Sequence, residues 1–207
     1  MSELRQHLDP TVEAPPFDYN PSSMPQRLRI GALALVAGAI ALYMGFFQWG
    51  WIDSVWDPVF GNGSETVLSS EESEAMHRFI GLPDAVFGAW AYLTEAVLAF
   101  AGSTRRWQFR PWLVVLFGID VIPLGIVSAI LVVLQGVSVG AWCFLCLTTA
   151  LISLVLVVMA YDEVWSALRY LHRVWRDEEG WRPAWNTFWG RPSPRAVEIA
   201  YEMTGDE

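Results

Sequence analysis

Apolar residues fall in four long blocks separated by short polar or charged stretches. The blocks cover residues 30–47, 85–101, 111–134 and 142–161. A bilayer core of roughly 30 Å is crossed by about 20 apolar residues in helical form. Lipid also requires every backbone polar group to be satisfied within its own segment, which favours helices. The pattern therefore predicts an all-α fold, a membrane-embedded bundle of four transmembrane helices. Pro83 opens the second block, and Gly118, Pro123 and Gly125 in the third predict a kink or a close helix approach.

The polar stretches differ in length and sign. Residues 48–82 form a long loop after the first helix, too long for a simple connection. It carries Asp53, Asp57, Glu65, Glu71, Glu72 and Glu74 against Arg78 alone. Ser70 ahead of Glu71 and Glu72 predicts the N-cap of a short helix. Arginines cluster elsewhere: Arg27 and Arg29 before the first helix, Arg105, Arg106 and Arg110 between the second and third, Arg169, Arg173 and Arg176 after the fourth. By the positive-inside rule these share the cytoplasmic side. That predicts a multi-pass cell-membrane protein with both termini cytoplasmic and the acidic loop external. Trp49, Trp51 and Trp56 near one boundary, and Trp107 and Trp112 near the other, fit interfacial belts.

Three regions follow. Residues 1–26, polar and proline-rich, predict a disordered cytoplasmic tail with no secretory signal pattern. Residues 27–161 make the bundle. Residues 162–207 predict a cytoplasmic amphipathic helix that either continues the fourth span or lies along the headgroups, with Val164, Trp165, Leu168, Leu171, Val174 and Trp175 on its apolar face, followed by an irregular or partly ordered tail from 180 onward. The composition, 54% hydrophobic with a net charge of −9, supports membrane lipid as a partner and argues against nucleic acid.

Chemistry concentrates in Cys143 and Cys146, the two cysteines of the 207 residues. Positions i and i+3 share a helix face. A Cys-X-X-Cys pair at a helix N-terminus closes a small disulfide and lowers a thiol pKa. The alternatives are a purely structural pair and a metal site, for which His77 is the nearby histidine and two thiolates still lack partners. Glu95 and Asp120 fall inside the second and third blocks at comparable depths. Ionisable groups there are functional suspects, although both are also accounted for by bonding to backbone or hydroxyl groups inside the bundle. The aromatic-rich external boundary, Phe87 included, either lines a pocket for a flat apolar ligand or anchors the interface.

Four spans, a long loop after the first, and Cys143-Phe-Leu-Cys146-Leu-Thr-Thr149 opening the fourth together resemble the vitamin K epoxide reductase family. Val67-Leu-Ser-Ser70 and the stretch Phe79-Ile-Gly-Leu-Pro-Asp-Ala-Val-Phe-Gly88 are similar to that family's passage from loop to second helix, and the resemblance covers residues 28–161. It implies a four-helix bundle around a quinone (menaquinone or ubiquinone) and a catalytic couple, Cys143 and Cys146. Cys146 would face the quinone and Cys143 would meet a thiol donor. It further implies Ser70, Asp84 and Phe87 as quinone-binding residues, no metal, and a thioredoxin-like external partner. The chain departs from the family in lacking loop cysteines: Trp56 and Ser64 stand near their positions, and Ala150 replaces a frequent tyrosine. An internal dithiol relay is thereby excluded. The other reading is a non-catalytic membrane subunit or ligand-binding scaffold derived from the same fold.

Overall fold

The structure is a computed structural model that describes residues 20–178 and 180–205. All regular elements among the described residues are helical. In chain order they are α1 (Met24–Gln48), α2 (Gly63–Leu68), α3 (Glu71–Ile80), α4 (Asp84–Phe100), α5 (Arg106–Phe109), α6 (Pro111–Leu134), α7 (Phe144–Asp177), α8 (Trp181–Phe188) and α9 (Pro194–Gly205). A π-helical turn, Gln135–Val139, extends α6. Three of the described helices are long and apolar enough to cross a membrane: Met24–Gln48, Pro111–Val139 and Phe144–Asp177. The 17 residues of α4 make the fourth apolar helix, shorter than these three.

The chain divides into two compact units. One comprises Arg29–Val97 and Asp120–Met159. Its buried stripe on α1 is Ile30, Ala34, Ala37, Ala41 and Met44, repeating every three or four residues. The small members admit α4 at close range. A Cβ on Gly38 would lie 3.3 Å from that of Tyr92, and one on Gly45 only 2.7 Å from a Val86 methyl. Large apolar side chains instead face outward, among them Leu35, Val36, Ile126, Ile130, Leu151 and Val158. Small residues inside and large ones outside suit a lipid solvent, which withholds any hydrophobic drive between helices and rewards close backbone approach. Gly125 fits the same rule, since its Cβ would meet a Val157 methyl at 2.5 Å. The helix runs on through Pro123.

The loop of this unit is built by local rules. Ser70 caps α3 with its hydroxyl, accepting the Ser73 N–H at 3.3 Å. Gly81, at φ 82°, ends that helix in the left-handed conformation that glycine adopts without a Cβ clash.

The other unit comprises residues 20–28, Leu98–Ile119 and the chain from Ala160 onward. Arginines that the sequence marked as one membrane side are buried there. Arg106 is 0% exposed and grips Glu163 through two bonds of 2.6 Å. Ser22 also donates to Glu163. Arg27 donates to the carbonyls of Ala99, Ala101 and Gly102 at 2.8–2.9 Å. These carbonyls end α4, where backbone acceptors lack helical partners and the dipole favours cations.

Beyond residue 161 the chain takes the first of the two expected courses, and the expectation for the tail is corrected. Residues 162–177 simply continue α7. The expected irregular tail from residue 180 contains α8 and α9. Its prolines misled because they sit in first turns, where no intrahelical N–H bond is lost: Pro183 third in α8, Pro194 first in α9. Ala196, Val197, Ile199 and Ala200 are buried, and Trp181 stacks on Trp185 with centroids 5.3 Å apart. The expected disordered tail lies outside the described residues as far as 19, and α1 begins at Met24.

Candidate functional site

Cys143 and Cys146 are joined in a disulfide, with Cα atoms 5.2 Å apart. Cys143 immediately precedes α7 and acts as its N-cap: its carbonyl accepts the Leu147 N–H at 3.0 Å, and its Sγ accepts the Cys146 N–H at 3.0 Å. A sulfur at a helix N-terminus, facing an unpaired N–H, is where a thiolate is stabilised after reduction. The two sulfurs differ in access. Cys143 is 0% exposed, whereas Cys146 is half-buried and its Sγ lies 3.6 Å from Sδ of Met44.

Two polar side chains whose roles here depend on distant partners hold the backbone at Cys143 and Phe144. Gln135, itself buried, accepts the Cys143 N–H at 3.0 Å. Asp57 ties the loop to the motif. One of its oxygens accepts from the backbone of Val59 and Phe60 at 3.0 and 2.8 Å. The other accepts from Ser64 N–H and hydroxyl at 3.1 and 2.7 Å and from Phe144 N–H at 3.3 Å. Desolvation pushes the Asp57 carboxyl up, but the donors of Phe60, Ser64, Val59 and Phe144 outweigh it and hold the group down at about 2. Trp56 adds an edge-on contact to the Phe144 ring, centroids 6.1 Å apart. Gly63 lets the loop sit against the motif, since a Cβ there would be 2.1 Å from the Trp142 carbonyl oxygen.

The other residues singled out from the sequence group in part. Asp84 opens α4 and accepts from Gln48 Nε2, from Ser73 hydroxyl at 3.1 Å and from Ala85 N–H at 2.9 Å. Ser70 reaches this cluster through Ser73. Phe87, one turn on from Asp84, is 44% exposed. Gln48, not singled out from the sequence, closes the cluster: it donates to Ser73 at 2.9 Å and accepts the Ala85 N–H at 3.2 Å. Gln48 stands one turn after Met44 on α1, so the polar cluster and the Cys146 sulfur flank the same face of that helix. Both glutamines were legible only as lone amides closing an apolar run. A separate groove of about 450 Å³, lined by Ile122, Gly125, Ile126, Ile130, Leu154 and Val157 among others, is wholly apolar and includes neither the cysteines nor Asp84. Among the described residues no three His, Cys, Asp or Glu side chains converge as a metal site.

A helical membrane protein with a disulfide at the N-terminus of a membrane-length helix falls in the class of membrane redox proteins. The sequence model of the vitamin K epoxide reductase family matches residues 28–161, and the chain belongs to that family. Membership implies oxidoreductase activity in the membrane. No curated protein and no solved structure matches the chain.

Proposed function

We propose that the protein is a membrane thiol–disulfide oxidoreductase that passes electrons from an external thiol donor to a quinone through the Cys143–Cys146 couple. The observation that carries this reading is the position of the disulfide. It caps α7, and Cys146 touches Met44 one turn from the Gln48, Ser73 and Asp84 cluster. In this reading α4 is the fourth span, because its 17 residues reach about 25 Å at ~1.5 Å per residue. In this reading the arginine clusters mark the cytoplasmic side by the positive-inside rule, and both termini are cytoplasmic.

The residues suit a flat ring with carbonyl oxygens. In this reading the Gln48 amide and Ser73 hydroxyl, which here donate to Asp84, turn to its oxygens, and Phe87 offers an apolar wall on the Asp84 face of α4. A bound quinone, menaquinone or ubiquinone, supplies a two-electron acceptor. The protein's own part is thiol chemistry. A donor thiolate attacks the disulfide, a mixed disulfide forms, and its resolution leaves the donor oxidised and both cysteines as thiols. The S–S bond re-forms when the pair gives up two electrons and two protons to the acceptor. With no second cysteine pair in the chain, the donor, a thioredoxin-like protein or a small thiol, acts on the couple directly.

The test is quinone-dependent thiol consumption by the purified full chain in lipid, with Cys146→Ser as the comparison. Turnover is expected to vanish in the variant, and equal turnover in both proteins would sink the proposal. The burial of Cys143 favours a second reading, a non-catalytic membrane subunit or scaffold with a structural disulfide. Chemically reduced cysteines that stay reduced when an oxidised quinone is added would favour it.

A further inference from the structure

The chain beyond α7 lies outside the residues that the family model matches, and the redox reading gives it no work. Its helix α8 carries Trp181, Trp185 and, at its C-cap, Trp189. Their i, i+4, i+8 spacing sets them along one face. All three indoles are exposed, whereas Ala184 and Thr187 on the other side of the helix are buried. The rings also touch in sequence. Trp181 stacks on Trp185 with centroids 5.3 Å apart, Trp185 meets Trp189 edge-on at 5.7 Å, and Trp189 lies 6.2 Å from Trp112. A continuous row of four indoles therefore runs from the start of α8 to the second residue of α6.

That residue sets the depth of the row. The span Pro111–Val139 has 29 residues. At ~1.5 Å per residue it reaches about 43 Å, and a bilayer with its headgroups is about 40–45 Å thick. Trp112 therefore stands at headgroup level. Along α6 its face continues through Leu116 and Ile119, both exposed, which is the lipid-facing side of the helix. The backbone seats α8 closely at this height, since a Cβ on Gly190 would lie 2.5 Å from the Phe109 carbonyl oxygen. Trp107, expected in the aromatic belt at this boundary, is instead buried against Tyr170, with centroids 5.7 Å apart. Charge on the tail is sorted as well. Asp177, Glu198 and Glu202 are held by Arg195 at 2.9–3.4 Å. Arg110, Arg182 and Arg191 are exposed, and none of them enters an ion pair among the described residues. Arg182 follows Trp181, and Arg110 and Arg191 follow the seated pair Phe109 and Gly190.

We propose that α8 is an interfacial anchor that lies in the headgroup layer at the start of α6 and binds anionic phospholipid. Trp181, Trp185 and Trp189 sink their rings to the acyl boundary, where indoles are favoured. Arg110, Arg182 and Arg191 take the phosphates, which suit a guanidinium's paired donors. Lipid is the occupant because the row is continuous with the lipid-facing stripe of α6 and because its unpaired charges are all positive. The acids of the tail, tied to Arg195, offer no competing partner. The inference goes beyond the redox reading and does not rest on it.

Spin labelling of the full chain in vesicles, with the disulfide left oxidised, tests this. A nitroxide is attached at Trp181→Cys on the row, with Trp185→Cys as a second reporter, and at Glu198→Cys on the exposed side of α9. In phosphatidylcholine vesicles containing phosphatidylglycerol, the two row labels should respond more to dissolved oxygen and less to a water-soluble nickel chelate than the α9 label. Equal access of the chelate to row and α9 labels would overturn the placement. Lipid charge is read from the ratio of immobilised to mobile label at Trp181→Cys. Arg110→Gln, Arg182→Gln and Arg191→Gln should each lower that ratio about fivefold, the equivalent of about 1 kcal/mol per basic residue at an anionic surface. Added salt should lower it too. In phosphatidylcholine alone the ratio should already be low, and the three substitutions should change it no further. A ratio indifferent to lipid charge and equal in all variants would overturn the recognition of anionic phospholipid. So would a row label open to the chelate in these vesicles and shielded in native membranes, which would mean that a protein covers the row.

Discussion

Replacing Asp57 with alanine should uncover Cys143. The wild-type carboxylate receives five donors, two from the backbone of Val59 and Phe60, two from Ser64, and one from Phe144 beside the cysteine. A hydrogen bond to a charged group contributes about 1.5–3 kcal/mol when buried. These are partly exposed, share one carboxyl and are not additive, so a net loss of about 2 kcal/mol is the reasonable scale, or roughly a 30-fold rise in the open population of the loop. The assay is alkylation of Cys143 by a maleimide in a Cys146→Ser background, with and without Asp57→Ala. Rates are taken on the alkaline plateau, where the thiol is fully ionised and any change in its own pKa drops out. Equal plateau rates within twofold would refute the idea that Asp57 holds the cover. The pH dependence supplies a second check. The Asp57 carboxyl falls from an ordinary 3.8 to about 2 on folding. A depressed carboxyl contributes fully above its unfolded value and loses that contribution as pH falls through the folded one. Amide protection of Ser64 and Phe144, corrected for intrinsic exchange, should therefore be flat above about pH 4 and drop toward pH 2. In Asp57→Asn the acid step should be missing.

Other substitutions probe neighbouring parts of the structure. Gly63→Ala puts a Cβ 2.1 Å from the Trp142 carbonyl oxygen and should lower the melting temperature by the equivalent of about 1–3 kcal/mol while speeding Cys143 alkylation. Arg106→Met leaves Glu163 charged and buried with Ser22 as its remaining donor, a loss of about 3–5 kcal/mol. Arg106→Met with Glu163→Met should recover much of that, and additive losses in thermal unfolding would contradict the pairing. Gln48→Leu removes the amide between Asp84 and Ser73 and should cut quinone-coupled turnover about tenfold, the scale of one charged hydrogen bond, while reduction of the disulfide by phosphine proceeds at the wild-type rate.

The sequence was legible where one physical rule decides the outcome. Long apolar runs became α1, α6 and α7 because lipid leaves the backbone no other choice. Ser70 became an N-cap because its hydroxyl meets an orphan N–H. The cysteine spacing became a disulfide because i and i+3 face one another across the first turn of α7. Legibility ended where a side chain's role depends on tertiary neighbours. Arg27 and Arg106 read as markers of one membrane side, yet one lies against the end of α4 and the other against Glu163. Nothing in the sequence sets Gln48 and Gln135 apart from any amide at the end of a span, and their partners come from distant segments. Residues 180–205 read as irregular because Pro, Gly and Asn were counted without their positions in the turn.

The loop also bears on how a donor enters. The resemblance places the family's loop thiols near Trp56 and Ser64, and both residues here act on Phe144, the residue between the two cysteines' turns. Trp56 meets its ring edge-on, and Ser64 braces the carboxylate that accepts its N–H. In this chain that segment is braced against the residue next to Cys143, and the expectation to be tested is that it acts as a cover. Attack on Cys143 by a protein-sized thiol needs that cover lifted, whereas a small dithiol reaches the half-buried Cys146 without it. The wild type should therefore discriminate between the two. Asp57→Ala should raise the rate of disulfide reduction by a thioredoxin-like protein by up to the roughly 30-fold worked out above and change the dithiothreitol rate by less than about threefold. Equal acceleration of both reductants would show that the loop governs the disulfide's intrinsic reactivity instead of access to it. No acceleration of either would place the entry point at Cys146 for donors of every size.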